Sequence, residues 1–281
     1  MKHHHHITVA FLGLLAGLIL LPVVLTVLYA FFQKSEIQLF MSRRNIYSDS
    51  FMEIKLIPQM LTLDQFETIL FHDSSILHYY MNSLRYAVAV IAGQFLLIPA
   101  LAYALSRFEF PFRDLISFLL IALILLPFQV TMVSNVLTMR TMGLMNTIWA
   151  VILPEMCAPF YVFLLRQYMI SIPADLFEAA QIDGAGPIRC YWTITIPVCM
   201  PMLGAAAALS FADCWNLVEQ PMTYLTKRQD LYPLSLVFNQ LTQKSTGTEF
   251  AGAALYLLPA LFVYLFFQDD IISGMQLAEM K

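Results

Sequence analysis

Six stretches of this chain stay apolar long enough to cross a hydrocarbon layer of about 30 Å, a distance that takes roughly 20 helical residues. They fall at about 7–32, 82–106, 114–138, 147–169, 198–220 and 249–268. A backbone in lipid has no water to bond, so each run is expected to close its own hydrogen bonds as a helix. The predicted fold class is an all-α integral membrane protein with six transmembrane helices, which places both termini on one side. Composition agrees: 59% of the 281 residues are hydrophobic and 12% are charged, against about 25% charged in an ordinary soluble domain.

The first run, 7–32, is longer than a signal-peptide core and has no A-x-A cleavage site after it, so it is expected to remain as the first membrane helix. Prolines 22, 99, 127, 154, 159, 201 and 259 fall within spans. Neighbouring helices can re-satisfy the carbonyls they free, and such helices bend. The small-residue run Gly204-Ala-Ala-Ala-Ala-Leu-Ser permits close approach of another helix and predicts a span inside the bundle.

Between the first two spans, 33–81 is polar and mixed in charge, with Lys34, Arg43, Arg44 and Lys55 set against Glu36, Asp49, Glu53, Asp64, Glu67 and Asp73. Thr62 as a cap, with acids after it and apolar residues at helical spacing, predicts a short docked helix over 62–71. A net charge of −4 without a block of like charges argues against nucleic acid as a partner. Cys157, Cys190, Cys199 and Cys214 have no CxxC spacing and are expected as reduced, buried packing residues. His3 to His6 read as a tag remnant or a solvated terminus, and no metal site is expected.

The segment between spans four and five reads Ile172-Pro-Ala-Asp-Leu-Phe-Glu-Ala-Ala-Gln-Ile-Asp-Gly-Ala-Gly-Pro-Ile-Arg-Cys-Tyr-Trp-Thr-Ile-Thr-Ile-Pro197. It predicts two short helices joined at a glycine corner. Pro173 fits a first helical position, Asp175 complements the helix dipole, Gly184 and Gly186 supply the turn, and Pro187 starts the second helix. Ala179 and Ala180 keep the first helix thin enough to lie in a groove, while Glu178 and Asp183 give it fixed negative charge. A thin acidic helix outside the spans is a docking element.

Glu178-Ala179-Ala180, three residues, Gly184, nine residues, then Ile194-x-Ile196-Pro197 matches the spacing of the EAA loop. The chain therefore resembles the permease subunits of ABC-type importers. Asn82-Ser83, Ala102-Tyr-Ala-Leu-Ser-Arg-Phe, Gly143-Leu-Met-Asn-Thr, Phe163-Leu-Leu-Arg-Gln and Trp215-Asn216 extend the likeness toward the carbohydrate-uptake branch, similar to the smaller permease of maltose-type transporters.

The resemblance implies a bacterial plasma-membrane location with both termini cytoplasmic. It also implies a first helix plus extracytoplasmic segment at 1–77, a transmembrane core at 78–268 and a short cytoplasmic tail at 269–281. Glu178, Ala179, Ala180, Asp183, Gly184 and Ala185 would form the loop that engages a cytoplasmic ATPase. The implied partners are a second homologous permease, two ATPase subunits, an extracytoplasmic sugar-binding protein and the carbohydrate itself.

No Gly-x-x-x-x-Gly-Lys-Ser/Thr loop occurs in the chain, so ATP and Mg are expected on the partner ATPase, and no cofactor or catalytic residue on this chain. Two features depart from the family. The tail carries Asp269-Asp270 where a basic tail is usual, and the flanking lysines and arginines, six against nine, lean against cytoplasmic termini.

Ionisable groups inside spans are costly and are functional candidates by default. Glu155 and Asp213 qualify, and Asp213, Trp215 and Asn216 together offer the carboxylate, amide and aromatic face that sugars use. The alternative for both carboxylates is pairing within the bundle or facing the extracytoplasmic boundary. They also keep open an ion-coupled secondary transporter, which would have no use for an EAA loop. A membrane-embedded enzyme would need a catalytic constellation within the spans, and His72 and His78 lie outside them.

Overall fold

The computed structural model describes residues 2–42, 56–72, 74–242 and 248–279, and the described residues contain helices and one isolated β-bridge, Phe32 to Leu61. Arg43, Arg44, Asp49, Glu53, Lys55 and Asp73, named above for their charge, lie outside them.

In chain order the helices are α1 (Lys2–Tyr29), α2 (Lys34–Ser42), α3 (Asp64–Glu67), α4 (Ser74–Arg107), α5 (Arg113–Ile124), α6 (Phe128–Thr141) and α7 (Trp149–Met156). They continue as α8 (Pro159–Ser171), α9 (Ala174–Ile182), α10 (Pro187–Cys190), α11 (Ile196–Trp215), α12 (Glu219–Tyr224), α13 (Leu234–Thr242) and α14 (Glu249–Glu279).

Among the described residues, five helical stretches are long and apolar enough to cross a membrane: Phe11–Tyr29, Ser75–Arg107, Trp149–Ser171, Pro187–Trp215 and Glu249–Ile272. A sixth span exists if α5 and α6 count as one, but they meet at a bend of 110°. The continuous helix expected over 114–138 is therefore corrected to a broken pair. Pro127 fixes its own φ and disfavours helix at the residue before it; α5 stops at Ile124 and Pro127, extended at ψ 149°, precedes α6.

The fifth span is also displaced, from 198–220 to Pro187–Trp215. The second short helix of the loop does not end at Pro197 but runs on as this span. A π turn over Tyr191–Thr195 lies just ahead of Pro197 and shifts the hydrogen-bond register where a proline would disrupt an α-helix. At the other end Asn216 closes the helix, its backbone N–H and Nδ2 both donating to the Ala212 carbonyl at 3.2 and 2.9 Å. Ala205 to Ala208 are buried, as the small-residue run predicts.

The described residues fall into two compact units, Met1–Tyr80 with Val237–Pro259, and Met81–Leu236 with Ala260–Lys281. In the first, the apolar side chains of α1 are exposed along most of its length, a disposition that costs nothing when the solvent is lipid. Gln65 is fully buried at its end and donates through Nε2 to the Tyr29 and Phe32 carbonyls, each at 2.8 Å, supplying donors that the helix terminus lacks. Thr62 is not the cap expected of it: its backbone N–H is spent on the Phe31 carbonyl at 3.0 Å, and α3 starts at Asp64 behind Leu63.

In the second unit, one core cluster joins Ile98, Tyr103, Tyr161, Leu165, Met169 and Phe177 with Cys190, Cys199 and Leu203. Three of the cysteines are buried as expected, but Cys157 is exposed, because it stands at the break between α7 and α8 rather than inside a helix face. The Asn82-Ser83 pair fastens the 230–234 segment: Asn82 Nδ2 donates to the Asp230 and Tyr232 carbonyls at 2.8 and 3.1 Å, and Ser83 Oγ accepts the Leu234 N–H at 2.8 Å. Residues 269–279, expected as tail, continue α14 as helix, and the Asp270 carboxylate rests against Gly204.

Candidate functional site

The loop helix α9 follows Ile172 and Pro173, both extended, at ψ 127° and 136°. Pro173 is thus the residue before the helix rather than its first. Asp175 sits in the first turn, where the helix dipole favours a carboxylate. The corner is built by two nested bonds: the Ala185 N–H reaches the Ala180 carbonyl at 2.8 Å, and the Gly184 N–H reaches that of Gln181 at 3.0 Å. This Schellman closure requires a left-handed residue just past the helix, and Gly184 supplies it at φ 78°. Pro187 then opens the next helix at its first position.

The two faces of α9 differ. Phe177 and, one turn on, Ala180 turn inward, and both Ala180 and Ala185 pack on the core cluster. Ala180 was expected to face a partner; the closure at Gly184 folds it against its own chain instead. Glu178, Ala179 and Asp183 remain exposed as expected. Sequence reasoning missed two apolar side chains beside them, Leu176 at 47% and Ile182 at 87% exposed. Their apolar character was visible, but apolar residues occupy both faces of this short helix, so no periodicity separated inward from outward.

The missed residues that hold the loop lie in the Ala102-Tyr-Ala-Leu-Ser-Arg-Phe motif, at the end of α4. Arg107 Nη2 donates to the Met169 carbonyl at 2.6 Å and the Ile172 carbonyl at 2.9 Å, and its guanidinium lies 3.9 Å from the centre of the Phe177 ring. Tyr103 Oη donates to the Pro187 carbonyl at 3.0 Å, and its ring lies 5.1 Å from that of Tyr191. In return, Arg166 of α8 donates through Nε to the Leu105 carbonyl of α4 at 3.3 Å. Two helix C-termini that end side by side, each presenting free carbonyls, are thus each met by an arginine from the other. The C-terminal end of α4 holds both the entrance and the exit of the loop, through Arg107 and Tyr103.

Within the spans, Glu155 Oε1 accepts from Gln220 Nε2 at 3.0 Å, and Gln94 Nε2 donates to the Glu155 carbonyl at 2.8 Å. Asp213 accepts a 2.5 Å hydrogen bond from Tyr161 Oη. Both carboxylates are therefore partnered inside the bundle, and Asp213 is also exposed. Trp215 does not offer a stacking face: it is 1% exposed and lies on Phe211, ring centres 5.3 Å apart. Asn216 is exposed, but its amide is engaged in closing α11. The cavity bordered by Gln94, Ile98, Tyr161, Leu203 and Ala206 measures about 20 Å³, room for one water and not for a sugar.

The family model for the binding-protein-dependent transport system inner membrane component matches residues 88–274. The arabinooligosaccharides transport system permease protein of Halalkalibacterium halodurans is 29% identical over 227 residues, 80% of this chain and 81% of that one. The diacetylchitobiose uptake system permease protein of Streptomyces coelicolor is 32% identical over 209 residues, 72% of this chain and 69% of that one. Among solved structures, a chain of a bacterial ABC transporter involved in the import of the acidic polysaccharide alginate superposes with a TM-score of 0.79 at 21% identity, over 95% of this chain and 96% of that one.

Proposed function

This chain belongs to the family of binding-protein-dependent transport system inner membrane components, and we propose that it is the permease subunit of an ATP-driven importer for a sugar or oligosaccharide. It forms half of the translocation path and docks a separate ATPase through α9. The observation that carries this reading is the outer face of α9, where exposed Leu176 and Ile182 flank Glu178, Ala179 and Asp183 on a helix fastened at both ends. Exposed apolar residues framed by charge, on a short helix beyond the span ends, are the composition of an interface. The names of the relatives supply the substrate class.

In this reading a second homologous permease completes the path, since the cavity beside Tyr161 and Leu203 within the spans holds only a water. ATP and Mg sit on two ATPase subunits, and a binding protein delivers sugar from outside. Both termini are cytoplasmic, which requires α5 and α6 to act together as one crossing, because five crossings would separate the ends. ATPase closure moves α9, and the spans respond by opening the path to the other side.

The test is Glu178→Lys in the assembled transporter. Reversing a charge at a partly desolvated contact is expected to lower ATPase co-purification and uptake by at least tenfold, given coupling energies of about 1.5 kcal/mol or more for close charge pairs. Wild-type uptake and co-purification, at matched amounts of inserted protein, would refute the docking role. An ion-coupled transporter, the rival reading, would keep its uptake without any ATPase and lose it when ion gradients collapse.

A further inference from the structure

We propose that Arg107 is the positioning residue through which displacement of the α9 loop is delivered to α4. This rests on the reading of α9 as the ATPase-docking element, and adds the route by which docking reaches a membrane span.

The geometry is specific. One nitrogen of the guanidinium, Nη2, bonds the Met169 carbonyl in the last turn of α8 and the Ile172 carbonyl just past it, while the central carbon of the same group lies over the Phe177 ring on the inner face of α9. Arg107 thus touches the helix that leads into the loop and the loop helix itself, and it is the last residue of α4. Tyr103, one turn earlier on α4, takes the Pro187 carbonyl where the chain leaves the loop. A helix of 34 residues, tied at its end to both limbs of the loop, cannot stay in place while the loop moves. Ser106 joins the same contact, with its hydroxyl 3.9 Å from the Met169 sulfur.

The side-chain type fits this task. A planar, permanently charged fork can meet carbonyls at its edge and an aromatic ring on its face at once, and the local carbonyls at the end of α8 give it favourable partners. Lysine can reach a carbonyl but has no plane to lay on Phe177. Arg107→Lys should therefore keep part of the connection, and Arg107→Ala none.

The experiment uses the full transporter reconstituted with its partner permease, ATPase subunits and binding protein. It compares Arg107→Ala, Arg107→Lys and Phe177→Leu by sugar taken up per ATP hydrolysed and by amide hydrogen exchange across 172–191. In Arg107→Ala, loop amides are expected to exchange roughly ten- to a hundredfold faster, the consequence of losing charge-assisted hydrogen bonds. Uptake per ATP should fall severalfold while the ATPase stays bound, with Arg107→Lys and Phe177→Leu in between. Unchanged loop exchange in Arg107→Ala overturns the proposal, and so does a loosened loop with wild-type uptake per ATP. If Arg107→Ala fails to assemble, the same two readings on Arg107→Lys and Phe177→Leu decide it. Glu178→Lys, measured in parallel, separates the two levels: normal behaviour there refutes the docking reading, whereas a damaged Glu178→Lys beside a normal Arg107→Ala refutes only the Arg107 route.

Discussion

The Arg107 guanidinium lies over the Phe177 ring across 70 positions of sequence, the cation 3.9 Å from the ring centre and the residue 8% exposed. Desolvation strengthens such a pair, and the ring also fills the space between α9 and the core cluster. Phe177→Ala should therefore cost about 3 kcal/mol or more, the usual range for deleting a buried phenyl ring. The loss should be local. Trypsin cleavage after Arg189, which is exposed in the exit of the loop, is expected to speed up while the spans stay resistant. An unchanged cleavage rate at Arg189 would show that the ring does not hold the loop.

Gly184 gives a cleaner test of backbone geometry than of packing. Its φ is 78°, and a Cβ built there meets nothing within 4 Å, so the whole penalty of a side chain is conformational. Gly184→Val should cost about 1–2 kcal/mol, the price of a left-handed conformation for an ordinary residue. Gly184→Asn should cost much less, because asparagine tolerates that region. Thermal unfolding of the purified complex, together with ATPase co-purification, should rank the variants Gly, Asn, Val. Equal loss from Asn and Val would point to a steric contact instead.

What the sequence could disclose here depended on how local the cause was. Apolar run length is local, and it located the spans; the glycine corner and the proline start at 187 are local turn chemistry, and both were legible. Pro127 reads in the sequence only as a bend within one span over 114–138, and the size of the break, 110°, is not contained in any local pattern. The fifth span starts eleven residues early, at 187 rather than 198, because a π turn absorbs Pro197, a change of hydrogen-bond register invisible in composition. Of the candidate site, Glu178, Ala179 and Asp183 lie on the exposed face, whereas Ala180 packs on a core assembled from other helices and Trp215 is buried, stacked on Phe211 one turn before it. Arg107 was within a quoted motif, yet its carbonyl partners lie 62 and 65 residues away.

A close approach between α4 and α7 predicts a paired rescue. A Cβ at Gly93 would collide with the Met156 side chain, whose flexible end must move to admit it. Overpacking of this kind costs about 1–3 kcal/mol, less where the neighbour can turn aside. Gly93→Ala is expected to lower the melting temperature of the complex, and adding Met156→Ala should recover part of the loss. If the double variant is no better than the sum of its parts, the two residues do not share that space.

The final prediction concerns Tyr161 and Asp213, which join α8 to α11 through a 2.5 Å bond inside the spans. A hydroxyl donating to a carboxylate is a charge-assisted bond, worth about 1.5–3 kcal/mol where water is scarce. Tyr161→Phe removes the donor with little change of shape, and Asp213→Asn keeps a carbonyl acceptor but removes the charge. The two single variants and the double variant therefore form a cycle. A bundle-stabilising role predicts a coupling of at least about 1 kcal/mol in unfolding free energy between them. A role in the path predicts something different: Asp213 is exposed beside this bond, so Asp213→Asn should reduce sugar uptake with the complex intact, while Tyr161→Phe should leave the carboxylate available and uptake largely preserved. Strong coupling in stability with equal uptake in both single variants would assign Asp213 to holding α8 and α11 together. A selective uptake defect in Asp213→Asn would place its carboxylate on the substrate's route.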